Sequence, residues 1–139
     1  MRSDQAARAD MNPSALGRAC RPRQWTKNLL VFAAPLFAFT FELDIWFAAS
    51  GALVAFCLMS SAIYLLNDSL DVEADRQHPR KRNRPIAAGL VSVPLALTTS
   101  ALLVAISLTL AAAVSVPLAA VILAYGLIQL GYCLLLKRV

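Results

Sequence analysis

Between Asn67 and Pro85 the chain reads NDSLDVEADRQHPRKRNRP, a comb of carboxamide and carboxylate groups followed by a basic run. If this segment is helical, at about 100° per residue, Asp71 lies about 300° and Asp75 about 340° beyond Asp68, so these carboxylates share one stripe with Asn67 beside them. Glu73 points away. Like charges so spaced repel by about a few tenths of a kcal/mol per pair in water, and more beside lipid, so the stripe is favourable mainly when a cation occupies it. Oxygen-only donors suit a hard ion, which makes Mg²⁺ the first candidate. Tyr64, one turn earlier on the same stripe, offers a phenol to a sugar or phosphate oxygen. The basic residues Arg80, Lys81, Arg82 and Arg84 follow within ten residues of the last stripe position. Each half alone has a plainer reading, a solvated helix end and a lipid-contacting basic run. Together they suit a metal-bound diphosphate, because Mg²⁺ bridges carboxylate and phosphate oxygens while cations neutralise the remaining charge and assist its departure.

The elements that position these groups are membrane helices. Hydrophobic residues make up 59% of the chain and charged ones 15%, a balance of integral membrane proteins. Ile45–Leu66, Val93–Val114 and Pro117–Leu136 each approach the roughly 20 residues that span a hydrocarbon core, and a shorter apolar run covers Asn28–Phe41. The charges decide the shorter run. All 13 Lys and Arg residues fall in the tail up to Lys27, in the loop Arg76–Arg84, or at Lys137 and Arg138, whereas Phe41–Asp44 and Ser115–Val116 carry none. Four crossings place every basic residue on the cytoplasmic side, as the positive-inside rule requires. The expectation is therefore an all-α polytopic membrane protein in the plasma membrane, with helices near 25–41, 45–75, 93–114 and 117–136. Both termini are then cytoplasmic, with Trp25 and Trp46 at the two membrane surfaces and Lys27 snorkelling.

Residues 1–20 read as a disordered or loosely helical cytoplasmic tail, and RPRQWTK at 21–27 as an interfacial segment. Pro35 should kink the first crossing. His78 and Pro79 end the second helix, Ala88, Gly89 and Ser92 supply turn and cap chemistry before Pro94, and Pro117 starts the last helix. Cys20, Cys57 and Cys133 lack the paired spacing of metal or redox motifs and read as inert. The net charge of +5 follows from topology, which excludes a nucleic-acid partner and leaves anionic lipid or a phosphorylated substrate.

NDSLDVEADRQHPRKRNRPIAAG resembles the first aspartate-rich motif, NDxxDxxxD followed by HPxKxxRPIAxG, of the UbiA superfamily of intramembrane prenyltransferases. Within it, RPRQWTKNLLVFAAPLF at 21–37, and Tyr132 with Lys137 in YCLLLKR, are similar to the phosphoribosyl-transferring branch that serves cell-wall arabinan synthesis. The resemblance spans residues 21–139. It implies a helical bundle with a polar cavity open to the cytoplasm, where Mg²⁺ holds the diphosphate of 5-phosphoribosyl 1-diphosphate while a polyprenyl (decaprenyl) phosphate attacks the anomeric carbon. Carried over by position, Asn67 and Asp71 become the foremost metal ligands, with Asp68 and Asp75 beside them. Lys27, Tyr64, Lys81 and Arg84 become substrate contacts, and Lys137 a phosphate contact on the far wall. No side-chain nucleophile or general base is needed, because the acceptor phosphate is already ionised; His78 then belongs to the turn with Pro79.

The superfamily fold has about nine transmembrane helices and a second acidic motif beyond Val139. The expectation is thus the first half of that bundle: a fragment, a truncated product, or one half of a split enzyme completed by a second polypeptide. Two other classes stay open at this point. One is a UbiA-type prenyltransferase joining an isoprenoid diphosphate to an aromatic or lipid acceptor. The other is a non-catalytic membrane module.

Overall fold

The computed structural model describes residues 13–135, and Lys137, expected at the far wall, lies outside them. Among the described residues every regular element is helical. Three helices are long and apolar enough to cross a membrane: α3 (Leu43–Leu70), α5 (Val93–Val114) and α6 (Val116–Leu134). Half of the apolar window of α3 is buried, against 17% for α5 and 11% for α6, so α3 is the central helix and the other two lie against it.

Small and hydroxylated residues make that packing possible. Ser100 Oγ donates to the Ala62 carbonyl at 2.7 Å and Ser107 Oγ to the Ala55 carbonyl at 2.6 Å. The two bonds are seven residues apart on both helices and run in opposite senses, the signature of an antiparallel seam. Ala96 and Ala111 extend it at zero exposure. In lipid no water drives apolar faces together, so close backbone approach and such hydroxyl bonds carry the association. A Cβ at Gly126 would stand 3.0 Å from Met59 Sδ, which shows how closely α6 approaches α3. Ser115 alone joins α5 to α6. Its extended backbone turns the chain while its Oγ caps α6 by accepting from Leu118 N.

The first apolar run differs from the single α-helix expected near 25–41. It is a 3₁₀-helix over Pro22–Phe32, followed by the short α2 (Ala33–Phe37) and a left-handed Phe39. It descends antiparallel along α3: Trp25 Nε1 donates to Ser61 Oγ at 2.9 Å, Asn28 Nδ2 to Ser60 Oγ at 3.4 Å, and Phe32 stacks on Trp46 with ring centroids 5.8 Å apart. Three residues per turn keep Trp25 and Asn28 in one line facing α3. The 3₁₀ rise of about 2.0 Å per residue also lets a short segment travel as far as a longer α-helix.

Over its described part the tail is helical, as one of the two readings allowed, but packed rather than loose. α1 (Pro13–Ala19) is helical, with Ala15 and Ala19 buried against Leu65, Ile86, Val91 and Ala96. The reason is the spacing of Ala15, Leu16, Ala19 and Cys20, which forms one apolar stripe. The second helix, expected unbroken to residue 75, kinks at Asp71 (φ −95°, ψ 8°) and resumes as α4 (Val72–Gln77).

Candidate functional site

The site is assembled where α3 leaves the apolar slab. Asp68 is buried there and collects two guanidinium groups. Arg21 Nη2 donates to its two oxygens at 2.7 and 3.0 Å, and Arg84 Nη1 donates to Oδ1 at 3.2 Å. Arg84 Nη1 also reaches Asp75 Oδ2 at 3.1 Å, so one guanidinium ties together carboxylates two turns apart. Burying Asp68 and Asp75 at 2% exposure each without these partners would be prohibitive, and two cations balance the two anions.

Local structure explains how each arginine arrives. Arg84 precedes Pro85 and Ile86. Ile86 is 1% exposed in the same cluster as Leu65 and α1, contributing roughly 1.5–3 kcal/mol, and so anchors the loop that presents Arg84. Arg76 Nε steadies that loop by donating to the Ala87 carbonyl at 3.2 Å, and Gly89 turns it at φ 81°. Arg21 heads the 3₁₀ segment in a left-handed conformation, φ 53° and ψ 63°. For a residue with a Cβ this costs about 1–2 kcal/mol. The bidentate pair with Asp68 and the stacking of its guanidinium 4.5 Å above the Tyr64 ring hold it there.

The carboxylate comb therefore divides into two kinds of group. Asp68 and Asp75 are bound by arginine, whereas Asn67 and Asp71, one helical turn apart, each line a cavity. Asp71 borders a cavity of about 320 Å³ together with Asp75, His78 and Lys81. Asn67 borders a second one of about 160 Å³, between α3 and α6, with Tyr64, Tyr125, Gln129 and Tyr132. Cys133 is a wall of both. Among the described residues no group of three or more His, Cys, Asp or Glu side chains is placed to hold a metal ion by itself. Where Mg²⁺ is held by one or two carboxylates together with substrate phosphates and water, Asn67 and Asp71 are the groups that would hold it here.

Of the other expected contacts, Lys81 and Tyr64 face these cavities, and Arg84 sits in the ion-pair network above them. Lys27 is exposed on the 3₁₀ segment and borders neither cavity. His78 serves the turn, its Nδ1 accepting from the backbone of Arg80 at 3.1 Å and of Lys81 at 3.2 Å. These bonds fix the backbone that carries Lys81. Burial pushes the Cys20 thiol above its ordinary range, in keeping with an inert cysteine.

Two contributions escaped the sequence reading. Arg21 was visible only as one basic residue among several, because its pairing spans 47 positions. The polar stripe of α6 was legible in principle: Tyr125, Gln129 and Tyr132, at i, i+4 and i+7, interrupt an otherwise apolar helix along one face.

Fold and site thus define a helical membrane protein with an aspartate-rich motif at the rim of its apolar slab. Residues 28–139 match the UbiA prenyltransferase family, and the chain belongs to that family. It is 49% identical over 130 residues to decaprenyl-phosphate phosphoribosyltransferase of Mycolicibacterium smegmatis, covering 90% of this chain and 41% of that protein. The proteins of the same name from Corynebacterium glutamicum and Mycobacterium tuberculosis are 50% identical over 121 residues and 48% over 126. Those matches cover 84% and 87% of this chain but 36% and 42% of the relatives, so the chain spans about two-fifths of their length.

Proposed function

We propose that this chain forms the donor-binding half of a Mg²⁺-dependent phosphoribosyltransferase, which moves the phosphoribosyl group of 5-phosphoribosyl 1-diphosphate onto a polyprenyl phosphate such as decaprenyl phosphate. The observation that carries the reading is the arrangement of the comb: Asp68 and Asp75 are neutralised by Arg21 and Arg84, while Asp71 borders a cavity with Lys81 and Asn67 borders the neighbouring one. A diphosphate brings more negative charge than a fully anionic comb would accept. With those two carboxylates already balanced by arginine, Lys81 at the cavity can serve a leaving diphosphate. Mg²⁺, when bound, adds charge neutralisation to phosphate oxygens. Lys81 holds the diphosphate by charge, and the turn built by His78 keeps that lysine in place.

In this reading the 3₁₀ segment is a fourth crossing. It pairs with α3 from Asp68 to Trp46, which returns the basic stretch Arg18–Lys27 to the same membrane face as Arg76–Arg84. The site then opens to the cytoplasm, and a lipid-borne acceptor reaches it from the bilayer.

The test is transfer and binding in membranes. With polyprenyl phosphate and Mg²⁺, labelled 5-phosphoribosyl 1-diphosphate should pass its label into lipid, stop with EDTA, and resume when Mg²⁺ is restored. The chain in nanodiscs should bind the same donor. Label transfer only from an isoprenyl diphosphate to an aromatic acceptor overturns the phosphoribosyl reading, and activity persisting in chelator overturns the metal.

A further inference from the structure

The smaller cavity has a chemical character of its own. Its polar wall is Tyr64 and Asn67 from α3 with Tyr125, Gln129 and Tyr132 from α6, and none of these side chains is charged. Tyr125 is fixed in place, its hydroxyl 3.1 Å from Ser60 Oγ and its ring edge-on to Phe56 with centroids 5.5 Å apart. Neutral polar side chains gathered on one wall offer hydrogen bonds to a ligand entering between α3 and α6, and Tyr132 stays 56% exposed. The larger cavity, by contrast, is bordered by Asp71, Asp75, His78 and Lys81. Cys133 borders both, and Asn67 and Asp71 lie about 6 Å apart along the helix axis. A ligand whose charged end occupies the larger cavity therefore presents its adjoining group to the smaller one.

We propose that the smaller cavity is the pentose subsite, and that Tyr125 and Gln129 are specificity-determining residues that select a hydroxylated sugar diphosphate over an isoprenyl diphosphate. The inference rests on the diphosphate reading of the larger cavity and deepens it. Two amides and three phenols can exchange hydrogen bonds with ribose hydroxyls. An isoprenyl chain offers them none, and sites built to bond a hydroxyl discriminate strongly against ligands lacking it. Cavity size agrees, since about 160 Å³ suits one sugar ring better than a long chain.

The experiment is a titration of the full chain in nanodiscs, with Mg²⁺, against three ligands that share a diphosphate: 5-phosphoribosyl 1-diphosphate, inorganic pyrophosphate and geranyl diphosphate. The expected order places the phosphoribosyl ligand about tenfold or more tighter than pyrophosphate, with geranyl diphosphate no tighter than pyrophosphate. Tyr125→Phe and Gln129→Leu should each weaken the phosphoribosyl ligand about three- to tenfold, the equivalent of one lost hydrogen bond, and leave pyrophosphate unchanged. Tyr125→Phe preserves the ring that packs on Phe56, so it guards against mere misfolding. Parallel loss of the phosphoribosyl and pyrophosphate ligands, or no loss of either, overturns the inference. Equal affinity of the unmodified chain for those two ligands also overturns it while leaving the diphosphate reading intact. Failure of all three ligands to bind the unmodified chain overturns that underlying reading and this inference with it.

Discussion

The rim of α3 and its body are held by opposite means. At the rim, Asp68 and Asp75 are gripped by Arg21 and Arg84, charge against charge, from segments far apart in sequence. Within the slab the same helix is joined by hydroxyls to carbonyls, Ser100 to Ala62 and Ser107 to Ala55, and by the close approach of Gly126 to Met59. The dielectric explains the contrast. Where water and lipid head groups are near, ion pairs can form with part of their hydration retained, whereas deeper in the slab only neutral partners avoid a large desolvation cost. The site lies where these regimes meet, with a charged cavity on one side and a neutral one on the other.

The largest expected effect tests whether the rim works as a site or only as a fastening. Asp71→Ala should lower Mg²⁺-dependent binding of 5-phosphoribosyl 1-diphosphate on the order of a hundredfold, measured by calorimetry in nanodiscs. Unchanged binding would show that Asp71 is no part of the site.

Asp68→Ala should act on stability. It removes the carboxylate that Arg21 and Arg84 share, leaving Arg84 with Asp75 alone and Arg21 without its carboxylate. Loss of a buried partner costs about 3–5 kcal/mol, reduced here to about 2 kcal/mol because both arginine side chains are about a quarter exposed. Unfolding in mixed micelles reads this cost. A neutral result would show that the ion pairs do not fasten the 3₁₀ segment.

In the slab, Gly126→Ala should cost about 1 kcal/mol by forcing Met59 aside, and Met59→Val in the same chain should restore part of it. Ser107→Ala should cost less, about 0.6 kcal/mol, the usual worth of a hydrogen bond between membrane helices. If the serine proves worth more than Asp68, the comparison between rim and body inverts.

The smallest effect concerns Cys20. Its thiol is raised by burial, so it carries less thiolate at neutral pH than a free cysteine, and N-ethylmaleimide should label it slowly until the pH passes the ordinary thiol range. Because the folded state holds this proton more tightly than the unfolded one, its contribution to stability is full below the unfolded value and fades as pH rises toward the folded one. Labelling at the rate of a free thiol would show α1 undocked.

Much of this was readable from residues alone. The limits of α5 agree with its apolar run, because Ser92 caps it and Pro94 opens it, both local signals. The turn at His78 and Pro79 is local as well, and so is the motif that marks the family. The 3₁₀ winding of Pro22–Phe32 was hidden, since apolar content does not distinguish helix types and the choice depends on lining up Trp25 and Asn28 with α3. The helical stripe of Asp68, Asp71 and Asp75 was foreseen as one surface. It divided because Arg21, 47 positions away, and Arg84, brought in by the burial of Ile86, claim two of its members.

Sequence by itself determined what short-range physics can encode: apolar lengths, caps, breaks, and the order of acid and base along the chain. Tertiary structure alone decided which carboxylates are bound by arginine, which groups border a cavity, and that Tyr125 and Gln129 of α6 stand beside Asn67. The reason is that side-chain partnership inside a slab is settled by whichever distant helix buries it, and no spacing within one segment carries that information.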